Sequence, residues 1–312
     1  MLKLVRLIIL SSITLLLVLL SQLKGNSIIG VNVNSPSQIP QALNKYTGVV
    51  YLEINESPCT GALLKGGRYI LTAAHCVTEN TPKVPEDTYG NATFKLPEDE
   101  ITIPITDYFV HPEWRGYSIE EGNDIALVKL SELPPESAEK YDIYRNNDEV
   151  GKTFTKVGYG YIGIGRKGQD EESNYDTLRY AGDNRYDGLV DVFYDTETSY
   201  NFSDLVLGSQ LLFDFDNGKP KNDVLGRHFP DLADTGLGQN EIGSANGDSG
   251  GPSFIRGKIA GITSWGSGDR DFFDRNFADI DKNSDNGSFG EFFSDTRVSF
   301  YSHWIDSIIN QN

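Results

Sequence analysis

Basic residues are scarce in this 312-residue chain, which has 27 lysines and arginines against 45 aspartates and glutamates. Three of the basic residues and none of the acidic ones lie within residues 1–27. The remainder therefore carries a formal charge of −21. So acidic a surface repels phosphate backbones and anionic membrane surfaces. We expect no nucleic-acid partner and no stable membrane association of the mature protein.

Long apolar runs are absent after the N-terminus, where Lys3 and Arg6 precede an apolar stretch at residues 7–20. This layout is typical of a secretory signal peptide. The stretch is short for a membrane span, which needs about 20 residues. We expect residues 1–27 to be a signal segment, with or without a short pro-segment at its end, and the protein to be secreted into the extracellular or periplasmic space. An uncleaved anchor is the alternative.

Cysteine is almost lacking, since the chain has only Cys59 and Cys76. In an oxidising compartment such a pair is expected to form a disulfide rather than part of a metal site. Closing so short a loop is worth about 3 kcal/mol in the chain-entropy model.

Helical periodicity is nearly absent except at the C-terminus, and proline-rich linkers are missing. Short apolar runs separated by Gly, Asn and Pro predict an all-β sandwich or barrel. The predicted strands are residues 49–54, 61–64, 69–74, 125–130, 152–157, 189–193, 253–255 and 258–265. One short helix is predicted at about residues 302–310, and long polar loops at 78–100, 165–175 and 267–295.

Three glycines surround one serine in the stretch "GDSGGP", which contains Ser249. Such a cluster is typical of an ordinary turn, but it also suits a nucleophile flanked by oxyanion-binding N–H groups. The second interpretation needs a general base. Of only four histidines, His75 ends an apolar run and directly precedes Cys76, and Asp124 opens another apolar run.

The motifs "LTAAHC", "NDIALVKL", "GDSGGP" and "GITSWG", in that order, resemble those of the trypsin/chymotrypsin family of serine endopeptidases. The resemblance implies two packed antiparallel β-barrels with a short C-terminal helix, and peptide-bond hydrolysis in the cleft between them. It implies roles for Ser249 as nucleophile, His75 as general base and Asp124 as orienting carboxylate. The implied oxyanion hole consists of the N–H groups of Gly247 and Ser249. The implied substrate-pairing segment is Ser264, Trp265 and Gly266.

The resemblance also implies a domain at residues 28–312, with a first barrel at about 28–145, a second at about 146–300 and the helix at about 302–310. It further implies activation by an ion pair between the freed N-terminus of Ile28 and Asp248. Cleavage after residue 27 by signal peptidase, or earlier cleavage followed by removal of a pro-segment, would both free Ile28.

The specificity pocket departs from the trypsin pattern, because Gly243 stands where an aspartate is expected. The implied lining positions Ser244, Gly266 and Phe293 supply no charge either. We therefore expect cleavage after uncharged, apolar or aromatic residues, unless Glu241 enters the pocket. We also expect a monomer that acts on proteins or peptides. A catalytically silent family member that acts as a binding protein is the rival hypothesis.

Two acidic stretches, residues 214–223 and 279–291, place hard oxygen ligands at alternate positions, which suits Ca²⁺. Neither matches an EF-hand, because Gly290 stands at position twelve counted from Asp279. A calcium site and solvated acidic loops both fit these stretches. No cofactor is expected to be required for catalysis.

Overall fold

The computed structural model describes residues 28–30, 42, 44–79, 81–116, 119–171, 178–194, 202–237, 241–268, 273, 278–281, 283 and 286–311. The predicted signal segment at residues 1–27 lies outside these ranges. None of the described helices is long and apolar enough to cross a membrane.

Strands dominate the described residues. In chain order they are β1 Ile28–Gly30, β2 Val49–Ile54, β3 Ser57–Leu63, β4 Tyr69–Thr72, β5 Gly90–Lys95, β6 Glu100–Val110, β7 Ala126–Leu130, β8 Thr153–Gly158, β9 Ile162–Ile164, β10 Gly168–Gln169, β11 Tyr180–Arg185, β12 Gly188–Leu189, β13 Gln210–Phe215, β14 Ile242–Gly243, β15 Pro252–Ile255, β16 Lys258–Gly268 and β17 Glu291–Arg297.

The first half is a closed antiparallel barrel with the strand order β2-β3-β4-β7-β6-β5. Inward-facing residues of these strands form one apolar core, and β2 shows the alternation of buried and more exposed positions that a half-buried strand requires. Because β4 and β7 are hydrogen-bonded neighbours, with Thr72 opposite Ala126, the ends of these strands bring the residues that follow Thr72 close to those that precede Ala126.

The second half is a seven-stranded antiparallel sheet with the order β11-β8-β15-β16-β17-β13-β12. Strand β16 pairs with β17 along most of its length, and a bulge falls between Thr263 and Trp265. Bulges re-aim side chains, and this one lies in the segment predicted to pair with substrate. The all-β fold with two strand-built halves is thus confirmed.

A small third sheet with the order β10-β9-β1-β14 joins the N-terminal segment to the second half. Ile29 lies opposite Gly243 in an antiparallel pair and opposite Gly163 in a parallel pair. The sequence prediction assigned residues 28–30 to the first barrel, but their hydrogen bonds are with strands of the second half.

The α-helices within the described ranges are short. They are α1 His75–Thr78, α2 Val224–His228 and α3 Ser302–Gln311. Helix α3 confirms the predicted C-terminal helix, and its buried Ile305 packs with Tyr301 into the core of the first barrel. Helix α3 therefore packs from the second half of the fold onto the first.

Several local predictions differ from the structure, and the predicted loop 165–175 contains the short strand β10. Residues 189–193 were expected to be one strand, but after β12 the backbone turns into the 3₁₀ helix Val190–Phe193. The predicted loop 78–100 contains β5, and the predicted loop 267–295 contains the start of β17. Apolar composition alone does not separate a strand from a short helix.

Candidate active site

His75 lies where β4 ends and α1 begins, and Asp124 lies just before β7. The His75 backbone N–H donates to Asp124 Oδ1 at 2.9 Å, and the ring Nδ1 lies 2.8 Å from Asp124 Oδ2. Next to His75, Cys76 forms the expected disulfide with Cys59. The disulfide and the two hydrogen bonds hold both the backbone and the ring of His75 in place.

Asp124 is fully buried, and hydrogen bonds hold both its carboxylate and its backbone. Ser264 Oγ donates to Asp124 Oδ2 at 2.6 Å, and Thr296 Oγ1 donates to the Asp124 carbonyl at 2.8 Å. The preceding Asn123 has a left-handed backbone with φ of 62°, and its N–H donates to Tyr301 Oη at 2.9 Å. Partners from both halves therefore orient this carboxylate.

The two side chains alter each other's pKa. Burial lowers the pKa of His75, but the charge of Asp124 and the hydrogen bond to it outweigh burial, so that the net effect is a raised pKa. Burial opposes ionisation of Asp124, whereas the charge and hydrogen bond of His75 and the hydroxyl of Ser264 lower its pKa overall. The geometry favours an ionised Asp124 that stabilises an imidazolium.

The Ser249 loop packs tightly against the first barrel. Thr60 N–H donates to the Ser249 carbonyl at 2.8 Å, and Thr60 Oγ1 donates to the Gly247 carbonyl at 2.9 Å. Gly250 has φ of 76°, and an added Cβ would lie 2.1 Å from Thr72 Oγ1. Only glycine suits this position, which explains part of the glycine cluster around the serine.

Asp248 is fully buried below this loop. Its carboxylate accepts the N–H groups of Gly160 and Ala245, both at 2.9 Å. Burial raises its pKa to about 6, although the two N–H groups act in the opposite direction. Strand β1 runs past Gly243, five residues before Asp248. The predicted contact between Ile28 and Asp248 itself lies outside what the structure describes.

A cavity of about 80 Å³ opens beside Ser249. The predicted lining residues Ser244, Ser264, Trp265, Gly266 and Phe293 all border it. Ser264 also donates to Asp124, so one wall residue of this cavity contacts the His75–Asp124 couple.

Phe293 shortens the cavity. A Cβ added at Gly266 would lie 2.5 Å from Phe293 Cδ1, and one added at Gly243 would lie 3.0 Å from Phe215 Cδ1 and 3.3 Å from Phe293 Cε2. The Phe293 ring therefore lies between the cavity wall at Gly266 and the position where trypsin-like pockets have an acid. No acidic side chain fits at Gly243 without displacing these rings.

Glu291 is a lining residue that the sequence analysis missed. It lies two residues before Phe293 on the same face of β17, and its carboxylate accepts the N–H groups of Gly287 at 2.9 Å and Ser288 at 2.8 Å. Burial raises its pKa to about 8, and the two N–H groups only partly offset that effect. Alternation along the strand from Phe293 could have identified it.

Glu241, the acid proposed as a substitute for the missing aspartate, does not border this cavity. It is 1% exposed, and its carboxylate interacts with those of Asp216, Asp187 and Asp234.

Among the described residues, only Cys59, His75 and Cys76 bring three potential metal-ligating atoms within 4.8 Å of one another, and both sulfurs belong to the disulfide. The predicted calcium stretch at 279–291 lies partly outside the described residues.

Comparison with known proteins decides the family. The sequence matches the Trypsin family profile over residues 33–198, which is more than half of the chain. The chain belongs to the trypsin family. Human Kallikrein-7 is 28% identical over 225 residues, covering 70% of this chain and 71% of that protein.

A more local similarity links the chain to "Chymotrypsin-like elastase family member 3B" of Macaca mulatta, with 40% identity over 74 residues. That match covers 23% of this chain and 28% of the elastase family member. A solved structure of neuropsin, a serine protease of mouse brain, superposes with a TM-score of 0.55 at 17% identity, covering 85% of this chain and 95% of neuropsin. This likeness supports the trypsin-family fold.

Proposed function

We propose that this trypsin-family chain is a secreted serine endopeptidase that hydrolyses peptide bonds through an acyl-enzyme on Ser249. The observation that carries the proposal is the buried couple in which Asp124 Oδ2 lies 2.8 Å from His75 Nδ1, next to a serine loop fixed by Thr60. A histidine bonded to a carboxylate through Nδ1 presents Nε2 as a proton acceptor.

In the proposed reaction the Ser249 hydroxyl oxygen attacks the scissile carbonyl carbon while its proton passes to His75 Nε2. The resulting oxyanion is stabilised by the N–H groups of Gly247 and Ser249. When the C–N bond breaks, the proton on His75 moves to the leaving amine. Water then repeats the sequence on the ester, and Asp124 remains ionised throughout. These steps use only groups of this chain.

The substrate preference that we propose is a small, uncharged residue before the scissile bond. The Phe293 ring shortens the cavity, whose volume is about 80 Å³, and this favours small aliphatic side chains over the aromatic ones that the sequence also allowed. Glu291 borders the cavity, but with a pKa of about 8 it is mainly protonated at neutral pH. An Arg or Lys side chain would therefore be desolvated without a paired charge.

For activation, we propose that cleavage before Ile28 frees an ammonium group that pairs with Asp248. Burial raises the pKa of the Asp248 carboxyl, and a paired ammonium would favour its ionised form. Strand β1 lies beside β14, with Ile29 opposite Gly243, five residues before Asp248.

We propose protein or peptide substrates, a monomeric state, and no nucleic-acid partner for the mature protein.

The rival function, a silent family member that only binds proteins, is tested by a fluorophosphonate probe. We expect labelling of the wild-type protein and of Ser244→Ala, which changes another serine of the same cavity, but not of Ser249→Ala. A folded wild-type protein cut before Ile28 that remains unlabelled would favour the binding function.

A further inference from the structure

Gln169 reaches the cavity beside Ser249 from a distant part of the chain. It lies in β10, within the predicted loop 165–175, and it borders the cavity. Its side-chain Oε1 accepts the N–H of Asn246 at 3.1 Å. Asn246 directly precedes Gly247, whose N–H is one of the two proposed oxyanion donors. A side chain of this loop therefore contacts the backbone next to the proposed oxyanion hole.

The two proposed donors are themselves unpaired. No hydrogen bond within the described part of the chain uses the N–H of Gly247 or of Ser249 as its donor. Such N–H groups are uncommon in folded proteins, where nearly all buried backbone donors have a partner. Both are thus available to a ligand oxygen, provided that the backbone holds them in one direction.

The peptide group between Asn246 and Gly247 is held from its carbonyl side. The Asn246 carbonyl accepts the N–H of Tyr161 at 2.8 Å. In a trans peptide the C=O and the N–H point in opposite directions. The bond from Tyr161 therefore turns the Gly247 N–H away from Tyr161 and keeps it there.

The preceding peptide group, between Ala245 and Asn246, is held on both sides. Its carbonyl accepts the N–H of Asp248 at 3.0 Å, and its N–H donates to Gln169. Because the planes on both sides of Asn246 are held, the two backbone dihedrals of Asn246 are fixed. Of the three residues that hold these two peptide groups, only Gln169 does so with its side chain.

Gln169 is in turn anchored through its backbone. Its N–H donates to the Asn286 carbonyl at 2.7 Å, and it lies opposite Gly163 in the antiparallel pair of β10 with β9. Gly163 also lies opposite Ile29 of β1. The Gln169 side chain therefore extends from a hydrogen-bonded sheet toward Asn246.

We propose that Gln169 is a positioning residue for the oxyanion hole. By accepting the Asn246 N–H, it holds the peptide group that precedes Gly247, and so keeps the Gly247 N–H directed at the developing oxyanion. The inference rests on the proposed endopeptidase function. Since the oxyanion forms only in the transition state, Gln169 should affect kcat and leave substrate binding unchanged. A side chain that only contacts substrate in the cavity would affect KM instead.

The first test replaces Gln169 by methionine in the mature chain that begins at Ile28. Gln169→Met keeps an unbranched side chain of similar length and removes the acceptor oxygen. We expect kcat for a peptide substrate to fall about two- to tenfold at unchanged KM, the range that corresponds to the net loss of one hydrogen bond. Loss of an oxyanion donor itself costs more, about 10²- to 10³-fold, because Gln169 acts only through Asn246. Lys167→Met, which changes an exposed residue of the same loop, is the control and should keep the wild-type kcat.

The second test separates the transition state from the ground state. A peptide trifluoromethyl ketone adds the Ser249 hydroxyl oxygen to its carbonyl carbon, the hydroxyl proton passes to His75, and the carbonyl oxygen becomes an oxyanion. Gln169→Met should weaken its binding by the same factor as kcat. The affinity of an uncleaved peptide should be equal in Ser249→Ala and in Ser249→Ala/Gln169→Met. Melting temperatures of all variants show whether they are folded.

An unchanged kcat in Gln169→Met would overturn the inference and leave the proposed function intact. The same holds if the uncleaved peptide loses as much affinity as kcat loses in rate. A mature wild-type protein that hydrolyses no peptide and is not labelled by the fluorophosphonate would overturn the proposed function, and this inference with it. If Gln169→Met does not fold, Gln169→Ala takes its place in both tests.

Discussion

Replacing Phe293 by alanine should change which residue is accepted before the scissile bond. The ring is 6% exposed, stacks on Phe213 with centroids 5.5 Å apart, and lies against Gly266 and Gly243. Its removal should join its own volume to the 80 Å³ cavity and leave room for an aromatic side chain of the substrate.

The size of the expected change in kcat/KM follows from the free energy of burying the substrate's phenyl side chain. Burying a phenyl side chain contributes about 1.5–3 kcal/mol, which corresponds to about ten- to hundredfold in kcat/KM. We expect the ratio of kcat/KM for Phe-containing over Ala-containing peptides to rise by this factor. The variant should also lose about 3 kcal/mol of stability, the lower end for Phe to Ala, because the ring already borders a cavity.

The assay compares two peptides that differ only at the residue before the scissile bond, alongside urea unfolding of each variant. Phe154→Ala is the matched control. It removes a buried ring of the same cluster that packs on Phe213 at 5.0 Å but does not border the cavity. An unchanged ratio in Phe293→Ala, or an equal change in Phe154→Ala, would refute the assignment of Phe293 as the residue that limits pocket depth.

Three further predictions concern charge. Asp124→Asn should lower kcat by about 10⁴-fold. The variant should also begin to gain its residual activity at a lower pH in a pH–rate profile, because Asp124 raises the pKa of His75. Glu291 ionises as pH passes about 8, so the ratio of cleavage after Lys to cleavage after Ala should increase from pH 7 to pH 9, and Glu291→Gln should give a flat ratio. N-terminal sequencing of active protein should give Ile28 as the first residue, and Asp248→Asn should be folded but poorly active; full activity of a chain that starts elsewhere would contradict the ion pair.

The sequence predicted the site best where function depends on short contiguous motifs. His75, Asp124 and Ser249 each lie at the end of a strand or in a glycine-rich turn, and local pattern together with the family resemblance named them as candidates. Their mutual geometry depends on Ser264 and Thr296, which come from another part of the chain. Only Ser264 was anticipated, and through the family resemblance.

Pocket residues were harder to predict because their position depends on loop length. Glu291 follows a long polar stretch, and its place opposite Gly268 is set by the register of β17 with β16. Strand β6 was missed because Pro104 interrupts it, although pairing continues through that residue. Strand β13 was missed because Gln210 and Asp214 are polar, yet both are buried.

Thr60 has a thermodynamic consequence through its two hydrogen bonds to the Ser249 loop. The bond to the Gly247 carbonyl joins residues 187 positions apart in sequence, one from each half of the fold. Any ligand that needs this loop in its present shape must bind the docked arrangement of the halves more tightly than a separated one. Linkage is reciprocal, so such a ligand strengthens the docking of the two halves by the same factor by which docking strengthens its binding.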